Sequence, residues 1–355
     1  MNTNNFSNEN ENENEIKKTD KKLTIFNFIL IVVIFIGLTV YMFCIDGIEN
    51  IIYVLKNVNY VWVLAGLGCL FLLWLCDSLT LHIPLKKLYP KQKFTNSIKV
   101  TMIGQLFNNI TPFSSGGQPM QAYELTKTGK RASDSMSILA MKFIITQIAL
   151  VSFTLVVVIF QLDFFKELFK DFLWVAILGI LANILLIVVV ILAGINKKFI
   201  TWITTPVIKL LAKIKIIKKP ENTIEKLDSS ITNFNQQFKL MNSQKLVVLQ
   251  IFVISCIQSL AYYSITYMVY RAFGNSGIDF WQIVPVQAFL LLFMTIIPTP
   301  GAGIGAEGGF LILFNSIFKE GTINLSILFW RIYTFYLPII VGSLFLIPSR
   351  KSKAE

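Results

Sequence analysis

Thr111-Pro112-Phe113-Ser114-Ser115-Gly116-Gly117 interrupts one apolar stretch of the chain, and Pro298-Thr299-Pro300-Gly301-Ala302-Gly303-Ile304-Gly305 interrupts another. Proline removes a backbone donor and glycine admits conformations closed to other residues, so both segments break helices. Lipid supplies no water to bond the freed N–H and C=O groups. Broken backbone at membrane depth therefore survives only inside protein or beside a wet cavity. Two such breaks point to a site built from discontinuous helices, as in transporters. The competing reading is a pair of ordinary Gly/Pro loops at the membrane surface. Acidic residues follow both breaks, Glu124 after the first and Glu307 after the second, and this favours the cavity.

The surrounding sequence makes the membrane setting firm. Of 355 residues, 54% are hydrophobic and 30 are Phe, which excludes an ordinary soluble domain. Apolar runs of ~20 residues, enough to cross a bilayer, lie at about 23–43, 60–81, 143–162, 172–195, 246–270 and 324–347. The interrupted segments, about 98–123 and 280–318, read as broken or re-entrant hairpins. The expected fold is an all-α integral membrane protein of six full spans and two such hairpins. Residues 1–22 form a disordered tail whose Asn/Glu low-complexity start cannot bury enough apolar surface to fold, residues 23–348 a single polytopic domain, and 349–355 a second tail. The order span, span, broken hairpin, span occurs twice, which suggests an inverted repeat with its site at the repeat interface.

Charge sets the orientation. The net charge of +12 does not signal nucleic acid, because cytoplasmic loops of membrane proteins collect Lys and Arg. With the N-terminus inside, 26 of the 32 basic residues fall on the cytoplasmic side; Lys56, Lys166, Lys170, Arg271 and Lys319 fall outside, and Arg331 alone lies within a span. Both termini are thus expected to be cytoplasmic. The loop at about 196–245 carries ten of these lysines. Its first half reads as a basic amphipathic helix on an anionic leaflet, and after Pro220 comes an apolar stripe of Ile224, Leu227, Ile231, Phe234 and Phe238 that packs on the membrane domain or on a partner.

Catalytic and metal chemistry find little support. His82 is the only histidine, and no CxxC pair occurs among Cys44, Cys69, Cys76 and Cys256, so neither a metal nor another cofactor is expected. The candidate residues instead form a lipid-binding set. Gly116 and Gly117 allow close backbone approach, Ser114 and Ser115 add hydroxyls, and the helix that restarts through Gln118, Gln121 and Glu124 offers free N–H groups to a phosphate headgroup. The alternative is that these groups only satisfy the broken backbone. At the second break, Gly301, Gly303 and Gly305 precede Glu307, whose carboxylate at membrane depth needs a partner or water. Arg331 is its cationic counterpart, either as a static structural pair or as part of a substrate site. Asp77 faces the same cavity or sits at headgroup level without a partner. Trp62, Trp174, Trp202, Trp281 and Trp330 read as interface anchors and Trp74 as core.

The two motifs, Thr111 through Gln121 and Pro298 through Gly309, resemble the lysylphosphatidylglycerol synthase transmembrane family, the flippase-like membrane region of the multiple peptide resistance factor. Arg331, Tyr333 and Pro338-Ile339-Ile340-Val341-Gly342 resemble its closing span. The resemblance implies a multi-pass protein of the bacterial plasma membrane that binds or translocates an anionic phospholipid, phosphatidylglycerol or lysyl-phosphatidylglycerol, and contributes to cationic peptide resistance. In full-length family members a soluble domain transfers lysine from lysyl-tRNA to phosphatidylglycerol. This sequence stops at Glu355, just after the last span, so a non-enzymatic chain is expected. A phosphatidylglycerol lysyltransferase, or the membrane subunit of a separately encoded synthase, stands as the alternative. A second copy of the chain is the other partner considered.

Overall fold

The computed structural model describes residues 52, 56–161, 163–164, 173–202, 206, 220–294, 303–319 and 321–346. The expected first span, most of the basic half of the central loop, most of the second break and both tails lie outside these residues, as does the side chain of Trp174. The described helices belong to the compact unit that begins at Asn57.

Eleven α-helices form the described part. They are α1 (Tyr60–Leu88), α2 (Phe94–Ile110), α3 (Gly117–Lys127), α4 (Ala132–Phe160), α5 (Leu173–Ile195), α6 (Pro220–Ser243), α7 (Lys245–Ala272), α8 (Phe280–Met294), α9 (Gly303–Phe314), α10 (Ile323–Arg331) and α11 (Leu337–Leu344). A π-helical turn, Ile332–Tyr336, joins the last two into one span. Among the described residues, five stretches are long and apolar enough to cross a membrane: Tyr60–Leu88, Ala132–Phe160, Leu178–Ile195, Lys245–Ala272 and Ile323–Leu344. They coincide with five of the six expected spans, and the fold is an all-α membrane protein.

Each interrupted hairpin resolves into two short helices, α2 and α3 around the first break and α8 and α9 around the second. A long helix, two short ones and a second long stretch thus follow one another twice. The first long helices of the two halves, α1 and α7, pack along each other, while α11 lies on α2 and α4 on α8. The last span of each half therefore rests on the first short helix of the other.

The π turn has a local cause. Pro338 has no N–H for the Thr334 carbonyl, and its ring would crowd that oxygen in a regular α-helix. The chain widens by one residue instead, immediately after Arg331. Such π-bulges are found frequently at functional sites.

The apolar stripe of the central loop docks on the membrane domain. Phe234 and Phe238 stack in α6, and Ile231, Phe238 and Met241 are buried against α4 and α5. Asn235 donates to the carbonyls of Ala193 (3.0 Å) and Gly194 (2.7 Å), satisfying the last turn of α5. Gly194 is required there, because a Cβ would collide with the Phe238 ring. The side chains of Ile224 and Leu227 lie outside the described residues. Trp330 is fully buried and its ring lies 5.0 Å from that of Phe310 in a tilted contact, so it is a core residue and not an interface anchor. Trp74 is core as expected, while Trp202 and Trp281 are exposed.

Candidate functional site

The first break forms a tight turn. Phe113 (φ 54°) and Ser114 (φ 51°) both adopt the left-handed region, which non-glycine residues rarely enter. Its interior is closed by side chains. Thr111 Oγ1 accepts the Gly116 N–H at 2.8 Å and Asn108 Oδ1 accepts the Gly117 N–H at 2.9 Å. Two donors that the sequence offered to a phosphate are therefore engaged within the protein. Gly117 must be glycine, since a Cβ would strike the Asn108 amide. What the turn presents outward is Phe113, Ser114 and Ser115, all exposed.

These residues line a cavity of about 750 Å³. Gln105, Asn108 and Asn109 of α2 and Gln118 of α3 share its wall with Phe143 and Gln147 of α4. Ala182, Asn183 and Leu186 of α5 contribute further, as do Tyr262 of α7 and Leu291 and Met294 of α8. Arg331 and Thr334, at the π turn, complete it. The cavity is thus an apolar chamber studded with amides and hydroxyls, with a guanidinium in its lining.

Arg331 is only 2% exposed. Its Nη2 donates to the Gly303 carbonyl at 2.7 Å, and its Nε lies 3.3 Å from Glu307 Oε1. The rings of Trp330 and Phe335 sit 5.2 Å from the guanidinium carbon. Glu307 lies one turn into α9, four residues after its first residue Gly303. The structure therefore brings together Arg331, Glu307 and Gly303 from the second half, and sets Arg331 in one chamber with Ser114, Ser115 and Gln118 from the first. Gly305 lies half-buried on the same turn of α9, and Gly301 is outside the described residues.

Two expected residues fall elsewhere. Gln121 is buried against Gly104, away from the cavity lining. Glu124 is buried as well and is held by Lys127 at 2.8 Å and Lys99 at 3.6 Å. Asp77 follows neither course open to it in the sequence. It is buried and paired with Lys142 at 2.6 Å, with Gln105 Nε2 donating to its other oxygen at 2.7 Å. Lys142, which positive-inside placement alone would put in a loop, is an interior residue of α4.

The sequence reading missed Gln105, Asn108, Asn109, Gln147, Asn183, Tyr262 and Thr334. A signal existed for two of them, because Gln147 and Asn183 are lone carboxamides inside apolar spans, where an unsatisfied amide is costly.

Comparison with known proteins agrees with this architecture. The model of the lysylphosphatidylglycerol synthase TM region matches residues 28–342. A UPF0104 membrane protein of Archaeoglobus fulgidus is similar, with 22% identity over 300 residues covering 82% of this chain and 87% of that protein. A second UPF0104 membrane protein, from Methanothermobacter thermautotrophicus, is 23% identical over 221 residues, covering 61% of this chain and 63% of its own length.

Proposed function

Because this chain belongs to the lysylphosphatidylglycerol synthase transmembrane family, we propose that it binds and translocates an anionic phospholipid in the plasma membrane, with both termini cytoplasmic. The observation that carries this reading is the Arg331 guanidinium in the lining of an amide-studded cavity within a bundle of membrane-crossing helices. A buried cation is costly unless it serves a partner, and Glu307 is one such partner. A phosphate entering the chamber is a second, and a guanidinium matches its geometry with two parallel hydrogen bonds. Ser114 and Gln118 supply neutral donors from the opposite half, so a headgroup held there would bridge both breaks, while the Ser115 hydroxyl donates to the Pro112 carbonyl at 2.9 Å.

Chemically, such a site lowers the barrier to headgroup crossing by replacing water with fixed dipoles and one charge, while the acyl chains stay in lipid. Movement of an anionic phospholipid from the outer to the inner leaflet would make the outer surface less negative, which is the link to cationic peptide resistance.

The test is reconstitution of the purified chain into vesicles carrying fluorescent phosphatidylglycerol, read by external quenching. Faster exposure of label than in protein-free vesicles, lost in Arg331→Gln, is the expected result. Labelled lysine passing from lysyl-tRNA into lipid with no other protein present would replace this reading with an enzymatic one.

A further inference from the structure

The chemistry of the cavity wall selects among headgroups. Six carboxamides line it: Gln105, Asn108, Asn109, Gln118, Gln147 and Asn183. Among the described lining residues there is no carboxylate, and Arg331 is the charged member. The nearby acids are committed elsewhere. Asp77 lies behind Gln105 in its pair with Lys142, and Glu307 faces Arg331.

Several of the amides are anchored by one end on rigid helices. Gln105 gives its Nε2–H to Asp77, Asn109 gives its Nδ2–H to the Gln105 carbonyl at 2.9 Å, and Asn108 accepts from Gly117 with its oxygen. A carboxamide carries both a donor and an acceptor, so anchoring one end orients the other. An array of oriented amides matches hydroxyl groups, which donate and accept at once. An ammonium group would instead call for a carboxylate in the wall.

From this lining we infer that the cavity takes an anionic lipid whose headgroup is a polyol or sugar, with its phosphate on Arg331, and that it discriminates against a cationic aminoacyl headgroup. The inference rests on the proposed role of the cavity as a headgroup site and names the class of headgroup it accepts. It departs from the lysyl headgroup that the family description carries.

The experiment compares four tail-labelled lipids in proteoliposomes of the full chain: phosphatidylinositol, phosphatidylglycerol, phosphatidic acid and lysyl-phosphatidylglycerol. Quenching from outside gives the rate for each. Phosphatidylinositol and phosphatidylglycerol should move about tenfold faster than the other two, the equivalent of one or two neutral hydrogen bonds. The double variant Asn109→Ala/Gln118→Ala should bring the ratio of phosphatidylinositol to phosphatidic acid close to one. If phosphatidic acid moves as fast as phosphatidylinositol in the unaltered protein, the headgroup assignment is wrong while the translocation reading stands. Lysyl-phosphatidylglycerol moving fastest overturns the assignment in the same way. If none of the four outpaces protein-free vesicles, the translocation reading itself fails and takes the assignment with it. The comparison of unaltered protein decides the matter even where the double variant does not fold.

Discussion

Among the described residues, two ion pairs lie inside this bundle, and they are built for different work. Asp77–Lys142 is sealed. Both side chains are 10% exposed, the lysine also donates to the Asp77 carbonyl at 3.2 Å, and Gln105 takes the second carboxylate oxygen. Neither charge lines the cavity. Glu307–Arg331 is longer, with 3.3 Å between Nε and Oε1; its side chains are 16% and 3% exposed, and what sets it apart is that the arginine lines the chamber at a π turn. The first pair joins α1 to α4 and the second joins α9 to α10. A closed pair fixes helix register; a pair with one member on a cavity wall can exchange its partner for a ligand.

Breaking the sealed pair should produce the largest effect. Lys142→Ala strands a buried carboxylate, a change that typically costs about 3–5 kcal/mol, and thermal unfolding in detergent should show a correspondingly large drop. Replacing both members with apolar residues (Asp77→Leu/Lys142→Met) should recover most of that loss.

The arginine's surroundings depend on a close helix crossing. A methyl at Gly342 would meet the Met102 carbonyl oxygen at 2.6 Å and Leu106 Cβ at 2.7 Å, where α11 lies on α2. Gly342→Ala should therefore destabilise by about 1–3 kcal/mol in the same unfolding measurement and, by displacing the arginine's helix from the cavity, slow lipid movement.

Coupling within the open pair comes next. Glu307→Gln and Arg331→Gln should each slow lipid movement, and the double variant should lose less than the two single losses added together, by about 1 kcal/mol of interaction. The cycle is read by quenching, with thermal stability followed in parallel. Coupling in stability alone would make the pair structural, like its counterpart.

An exposed pair gives the lower bound. Lys197–Asp228 is close, at 2.7 Å, but its side chains are 43% and 52% exposed. Lys197→Ala should change stability by less than about 1 kcal/mol, and any change should shrink with added salt.

This contrast between the pairs was only half legible in the sequence. Glu307 and Arg331 stand out because charge inside an apolar run is expensive, and composition alone exposes it. Five spans and both interruptions were legible for the same reason, since the bilayer fixes the length of an apolar run. The partner of Asp77 was not legible. Lys142 lies 65 residues away, and the pairing depends on how α1 and α4 meet, which no local pattern encodes. Glu124 misled because it follows a break as Glu307 does, yet Lys127 sits one helical turn further on and takes its charge. Trp330 misled in the opposite sense, because a tryptophan near a span's end suits an interface as well as a core. The amides of the cavity wall were legible singly but not together, because helices from both halves converge to assemble them.

The most direct measurement places the two pairs side by side in the lipid assay. Arg331→Gln and Asp77→Leu/Lys142→Met are reconstituted at equal protein density, and exposure of labelled phosphatidylglycerol is followed by external quenching. At least a tenfold slowing is expected in Arg331→Gln, and a smaller one when the sealed pair is replaced, because that change frees Gln105 but leaves the arginine in place. Retention of the full rate by a folded Arg331→Gln protein would contradict the role given to Arg331.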